Sequence, residues 1–213
     1  MRPVVTVVDY GRSNLLSVRR ALEHCGADVR FAAEPGDILR AGALVLPGVG
    51  AFADGMAQLH RQHLVEPLLQ KAGEGTPLLG ICLGMQMLLD SSTEGGLNKG
   101  LGLVEGTVEP LPEKTAEGAP LKVPHIGWSA LTLAPGAERG LFKNTKNGDE
   151  VYFGHSFQAL PRRREDCAAT VEYGGHTVCA AVQRGNVTGF QFHPEKSGPA
   201  GLAMLRAFVE GLG

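Results

Sequence analysis

Leu78-Leu79-Gly80-Ile81-Cys82-Leu83-Gly84-Met85-Gln86 is the stretch on which the fold turns. Leu78, Leu79 and Ile81 follow Pro77 as a short apolar run, which reads as a buried strand. Met85, Leu88 and Leu89 then recur at helical spacing, so the chain passes from strand to helix at Cys82. Gly80 and Gly84 flank the switch, where a side chain would crowd a strained backbone. The pattern is that of a nucleophile elbow carrying sulfur. A helix N-terminus beside a histidine raises the thiolate fraction of such a cysteine. A buried structural thiol is the plainer reading of any single cysteine.

A second segment, Gln191-Phe192-His193-Pro194-Glu195, supplies what a reactive sulfur needs. Val187, Phe190 and Phe192 predict a strand ending at His193, and in extended chain His193 and Glu195 project to one face. A carboxylate on the far imidazole nitrogen would fix the tautomer while the ring takes the thiol proton. Alone the triplet also fits a solvated turn; its weight comes from joint occurrence with the cysteine. Between these segments and the N-terminus, the strand 43–46 runs into Pro47-Gly48-Val49-Gly50-Ala51-Phe52. A glycine-rich loop there can bring the Val49 N–H to a developing oxyanion, with the N–H of Leu83 as second donor. A simple turn is the alternative.

Outward from these motifs, the first half alternates strands (near 4–8, 28–32, 43–46 and 78–81) with helices (near 13–25, 53–61, 64–72 and 83–90). That alternation predicts an α/β fold with a mostly parallel sheet flanked by helices. After Gly95-Gly96 the chain changes to shorter strands, including 151–153 and 178–182, expected to be antiparallel on the same sheet or its extension. A last helix near 198–211 puts Leu202, Leu205 and Val209 on one face, so it should dock. The polar stretch from Glu109 to Gly118 reads as an exposed loop.

The 213 residues suit one domain, 1–213. With Lys+Arg 20 against Asp+Glu 22, nothing invites nucleic acid or an anionic membrane surface. Cys25, Cys82, Cys167 and Cys179 lack metal-ligand spacing; Cys25 and Cys179 sit in apolar patterns as core residues, which fits a reducing, cytoplasmic setting. The run Val4 to Val8 reads as a first strand rather than a leader, and no segment reaches membrane-spanning length. His60, His63 and Glu66 suit one polar helix face better than a metal site, so no metal is expected.

The chain resembles the class I (triad) glutamine amidotransferases, and within them the glutaminase subunits of imidazole glycerol phosphate synthase. Gly80 to Gln86 and His193-Pro194-Glu195 match the wider class. Asp9-Tyr10-Gly11-Arg12-Ser13-Asn14-Leu15-Leu16-Ser17, Pro47 to Phe52, Pro124-His125-Ile126-Gly127-Trp128 and His193 to Gly198 narrow it. Ser129 departs from the asparagine usual after that tryptophan. The resemblance implies a triad of Cys82, His193 and Glu195, and glutamine held by Gly50, Gln86, Glu94, His155, Ser156 and Phe157. It also implies a heterodimer with a (β/α)8-barrel cyclase through Asn14, Trp128 and Lys196, and no cofactor. Because Gly48 tolerates unusual backbone angles, the Gly48-Val49 peptide is further expected to hold the Val49 N–H turned away until the partner docks. A glutaminase serving another synthase, a non-catalytic module on the same fold and a cysteine peptidase are the alternatives.

Overall fold

The computed structural model describes residues 2–11 and 14–212, with the side chain of Arg139 set aside. The chain runs β1 (Val4–Val8), α1 (Leu15–His24), β2 (Asp28–Ala32), α2 (Pro35–Leu39), β3 (Leu44–Gly48), α3 (Phe52–Arg61), α4 (Val65–Gly73), β4 (Leu78–Cys82) and α5 (Leu83–Met87). It continues as β5 (Leu89–Ser92), β6 (Asn98–Lys99), β7 (Val104–Pro110), β8 (His125–Leu133), β9 (Glu150–His155) and β10 (Phe157–Pro161). Strands β11 (Cys167–Tyr173), β12 (His176–Arg184) and β13 (Val187–Phe190) follow, and α6 (Gly198–Glu210) closes the chain.

One nine-stranded sheet, ordered β2-β1-β3-β4-β13-β12-β11-β8-β9, forms the spine. Strands β2, β1, β3, β4 and β13 are parallel, and the remaining four join antiparallel, as the sequence predicts for an extension of one sheet. The central strands are apolar along their length because helices cover both faces: β3 and β4 are buried at every position. One core cluster places Val5, Val7, Val45 and Ile81 against Leu22 of α1 and Leu205 and Phe208 of α6. The other packs Leu44, Leu46 and Leu78 against Phe52, Leu59 and Leu68 of α3 and α4. Helix α6 is docked through Met204, Leu205, Phe208 and Val209, with Leu202 only half-buried.

Three expectations need correction. The helix after Cys82 ends at Met87 rather than near 90, because Leu89–Ser92 pairs with β6 and β7. With β10, these strands make a separate four-stranded sheet, so the second half does not lie on one sheet alone. The segment from Glu109 begins inside β7, and Leu111 is buried, so the polar stretch is only partly loop. All four cysteines are free, Cys25 and Cys179 buried, and the Cys167 sulfur sits 3.3 Å from that of Cys179.

Candidate functional site

Strand β4 delivers Cys82 at its carboxyl end, with φ 53° and ψ −110°. Positive φ is unfavourable for any residue with a Cβ, and among the described residues only His63 and Cys82 adopt it without being glycine. The turn is tight enough that a Cβ on Gly84 would overlap the carbonyl oxygen of Leu46. One on Gly80 would lie 2.8 Å from the Gly84 backbone. Leu83, the first residue of α5, has an N–H with no intrahelical acceptor. Register does the rest: Gly48 of β3 pairs with Cys82, and Phe190 of β13 pairs with Ile81. The Gly48-Val49-Gly50 loop and the segment after Phe190 therefore flank the sulfur.

That last segment is not the extended strand expected. Strand β13 stops at Phe190, and Pro194–Lys196 forms a single turn of 3₁₀ helix. His193 and Glu195 meet across this turn, with Nδ1 to Oε1 at 2.9 Å. Ser197 anchors the turn: its hydroxyl donates to the His193 carbonyl (2.6 Å) and accepts the Tyr152 N–H (3.0 Å). The His193 N–H in turn donates to the Tyr152 carbonyl at 2.9 Å. Burial alone would push the imidazole pKa down. Hydrogen bonding to the Cys82 sulfur and to the Glu195 carboxylate outweighs burial and raises it to about 9. Glu195 Oε2 is buried with no hydrogen-bond partner among the described residues, so the imidazole is the partner of that carboxylate.

A cleft of about 420 Å³ opens over the sulfur. Of the residues singled out from sequence, Val49, Gly50, Cys82, Leu83, Gln86, Glu94, His155, Ser156, Phe157, His193 and Lys196 line it. The Glu94 carboxylate receives the Phe52 N–H at 2.7 Å, tying the glycine-rich loop at the start of α3. Gln86 donates to the Phe157 carbonyl (3.1 Å) and to Gln191 Oε1 (3.0 Å). Both its N–H groups are engaged within the protein, which leaves Oε1 as its free group. His155 Nδ1 meets the same Phe157 carbonyl at 2.8 Å, and its Nε2 lies 3.2 Å from His125 Nδ1. Burial, the largest influence on each ring, lowers both pKa values to about 4.

Trp128 is 53 % exposed and lies edge-on to Tyr152, while Lys196 sits 6.0 Å over the same tyrosine ring. These three cluster at the mouth of the cleft, to which Tyr152 and Lys196 contribute directly. Asn14 is exposed at the start of α1; Arg12 and Ser13 of its motif lie outside the described residues. Ser129, the departure from the usual asparagine, hydrogen-bonds His125 Nε2 at 2.9 Å. Sequence reasoning missed Tyr152 as a cleft residue and had Pro124 and Ile126 only as parts of a motif expected near the partner. The pairing of β8 with β9 sets Trp128 opposite Tyr152, a register that no local pattern declares. Among the described residues no cluster of His, Cys, Asp or Glu is placed to hold a metal, and no helix is long and apolar enough to cross a membrane.

A backbone-strained cysteine, an imidazole backed by a carboxylate, and backbone N–H groups around one cleft can carry out acyl transfer. Comparison with known proteins agrees. The family profile for glutamine amidotransferase class-I matches residues 6–212. Imidazole glycerol phosphate synthase subunit HisH of Moorella thermoacetica is 46 % identical over 211 residues, covering 99 % of this chain and 95 % of that one. The chloroplastic imidazole glycerol phosphate synthase hisHF of Arabidopsis thaliana is 43 % identical over 208 residues, 97 % of this chain and 34 % of that protein. In fold, the structure of PurLQS from Thermotoga maritima matches with a TM-score of 0.75 at 21 % identity, covering 100 % of both chains. The chain belongs to the glutamine amidotransferase class-I family, among the HisH subunits of imidazole glycerol phosphate synthase.

Proposed function

We propose that this chain is the glutaminase subunit of an imidazole glycerol phosphate synthase, a single domain that releases ammonia from L-glutamine for histidine biosynthesis. The observation that carries the reading is the Cys82–His193–Glu195 constellation over one cleft, in a chain 46 % identical to a HisH subunit.

In this mechanism Cys82 Sγ attacks the side-chain amide carbon of glutamine. The oxyanion rests on the N–H groups of Val49 and Leu83, where fixed donors act without reorganising. His193, held by Glu195, passes its proton to the departing nitrogen, and ammonia leaves a γ-glutamyl thioester. Water, deprotonated by the same imidazole, cleaves the thioester to glutamate and restores the thiol. Gly50, Gln86, Glu94, His155, Ser156 and Phe157 hold the substrate. Gln86 Oε1 and the Glu94 carboxylate are acceptors suited to its ammonium and amide hydrogens.

Ammonia released into neutral water would be protonated and lost as a nucleophile, so the product must pass to a docked partner. That partner is a (β/α)8-barrel cyclase subunit, met through Asn14, Trp128 and Lys196. The barrel uses the nitrogen to make imidazole glycerol phosphate and aminoimidazole carboxamide ribotide. A cytoplasmic heterodimer without a cofactor completes the proposal.

The test is co-purification with the cyclase, followed by glutamate release and cyclisation with glutamine as the nitrogen source. Cyclisation should require glutamine and vanish in Cys82→Ser, while added ammonium salt restores it. Cyclisation that ignores glutamine would overturn the reading. Glutamine hydrolysis stimulated only by another synthase would redirect it.

A further inference from the structure

The carbonyl oxygen of Phe157 fixes the direction of every hydrogen bond between it and the Cys82 sulfur. A carbonyl oxygen only accepts, so the Gln86 atom 3.1 Å from it is the amide nitrogen. The second hydrogen on that nitrogen then faces Gln191 at 3.0 Å, so Gln191 presents its oxygen there. With its oxygen committed, Gln191 turns Nε2 toward Cys82 Sγ, 3.9 Å away. The same oxygen of Phe157 orients the other branch. It takes the Nδ1 hydrogen of neutral His155, whose Nε2 must then accept from His125. His125 Nε2 is left to accept the Ser129 hydroxyl hydrogen.

Gln191 is fully buried, and its own N–H is bound to the Ala180 carbonyl at 2.9 Å. It is the residue after Phe190, whose partner across β4 and β13 is Ile81, so it stands beside Cys82 by register. A buried amide placed merely to complete the core would need partners for its hydrogens among carbonyls. This one aims a hydrogen at a sulfur. A thiolate accepts such a bond more strongly than a thiol, because charge strengthens it.

We propose that Gln191 is a second donor to the Cys82 sulfur: its carboxamide N–H stabilises the thiolate, and Gln86, held by Phe157, is the positioning residue that keeps it aimed. The inference rests on the reading of Cys82 as the nucleophile. It adds a function to a residue that neither the motif resemblance nor the cleft lining singles out. The raised pKa of His193 fits the same picture, since a sulfur carrying negative charge next to that ring favours the imidazolium.

The test is the pH dependence of Cys82 alkylation by iodoacetamide, followed at the Cys82 peptide by mass spectrometry so that the other three thiols do not interfere. Gln191→Leu should slow alkylation at neutral pH roughly tenfold and move its midpoint upward by about one pH unit. Gln86→Leu should give a smaller shift in the same direction. An unchanged profile in Gln191→Leu overturns the proposal. Should that variant fail to fold, the side-chain amide resonances of Gln191 in isotope-labelled wild type give an independent answer. They should titrate with the Cys82 midpoint and lose that step in Cys82→Ala; pH-independent resonances overturn the proposal equally. A wild-type Cys82 that resists a glutamine-mimicking chloroketone would instead sink the glutaminase reading, and leaves the alkylation result standing by itself.

Discussion

The Glu94 carboxylate accepts the backbone N–H of Phe52 at 2.7 Å, bridging 42 residues of sequence to the point where the glycine-rich loop becomes α3. The contact is a charged cap on a helix N-terminus, and it ties down one end of the loop that presents Val49. Glu94→Ala should lower stability by about 1–2 kcal/mol, read from urea unfolding. Glu94→Gln keeps an acceptor oxygen and should restore most of that stability. If Glu94 also pairs the substrate ammonium, KM for glutamine stays raised in Glu94→Gln while kcat recovers; recovery of both would assign Glu94 to the loop alone.

Ser197 holds the His193 turn to β9 through two hydrogen bonds. Ser197→Ala leaves the Tyr152 N–H without its acceptor in a part-buried site, which costs about 1–3 kcal/mol. Thermal unfolding should register that loss. Glutamine hydrolysis should fall further than stability alone explains, because the imidazole is no longer fixed over the sulfur; unchanged turnover in folded protein would refute this.

The pKa of His193 is raised, so its contribution to stability is fully present below the ordinary value of 6.5 and is lost as pH rises through about 9. Nuclear magnetic resonance titration should find this ring protonated at neutral pH. Cys82→Ser and Glu195→Gln should each bring its midpoint down. The stability advantage of wild type over Glu195→Gln should narrow as pH climbs through about 9.

His125 and His155 carry the opposite sign. Both are held down to about 4 by burial, so the stability that comes from their neutral forms is present above pH 6.5 and is lost as pH falls through about 4. Protonation puts a hydrogen on His155 Nε2 or His125 Nε2, each of which accepts a bond in the neutral network. Acid unfolding should therefore be shallower in a His125→Asn variant than in wild type, measured by circular dichroism across that range.

Gly84→Ala tests the elbow itself. Its new Cβ would run into the Leu46 carbonyl oxygen, a backbone atom in a central strand that has nowhere to go. A loss of about 3 kcal/mol is expected from unfolding curves, with Cys82 displaced.

Much of this architecture is legible in the residues because its signals are local. The apolar run to Ile81, the flanking glycines and the helical spacing after Cys82 lie within one short segment, and the turn they predict is the one found. Leu88 and Leu89 misled for the same reason: short apolar runs satisfy helix and strand spacing alike, and pairing with β7 decided the outcome. Pro194 fits a strand end or a turn equally, since it fixes φ and removes a donor in both. The turn prevails because Ser197 bonds back to His193. The aim of Gln191 and the place of Tyr152 depend on strand register over long separations, 109 residues in the case of Gln191 and Cys82.

That same adjacency of β4 and β13 has an evolutionary consequence. Between β4 and β13 the chain builds the small four-stranded sheet and the four strands β8, β9, β11 and β12 that extend the main sheet beyond β13, and it then returns beside the strand it left. Segments there whose hydrogen bonds stay among themselves and with the β11–β12 turn, such as 112–123, can lengthen, shorten or change composition without altering the distance between sulfur and imidazole. Chemistry and partner choice are thereby free to diversify at different rates within a single chain.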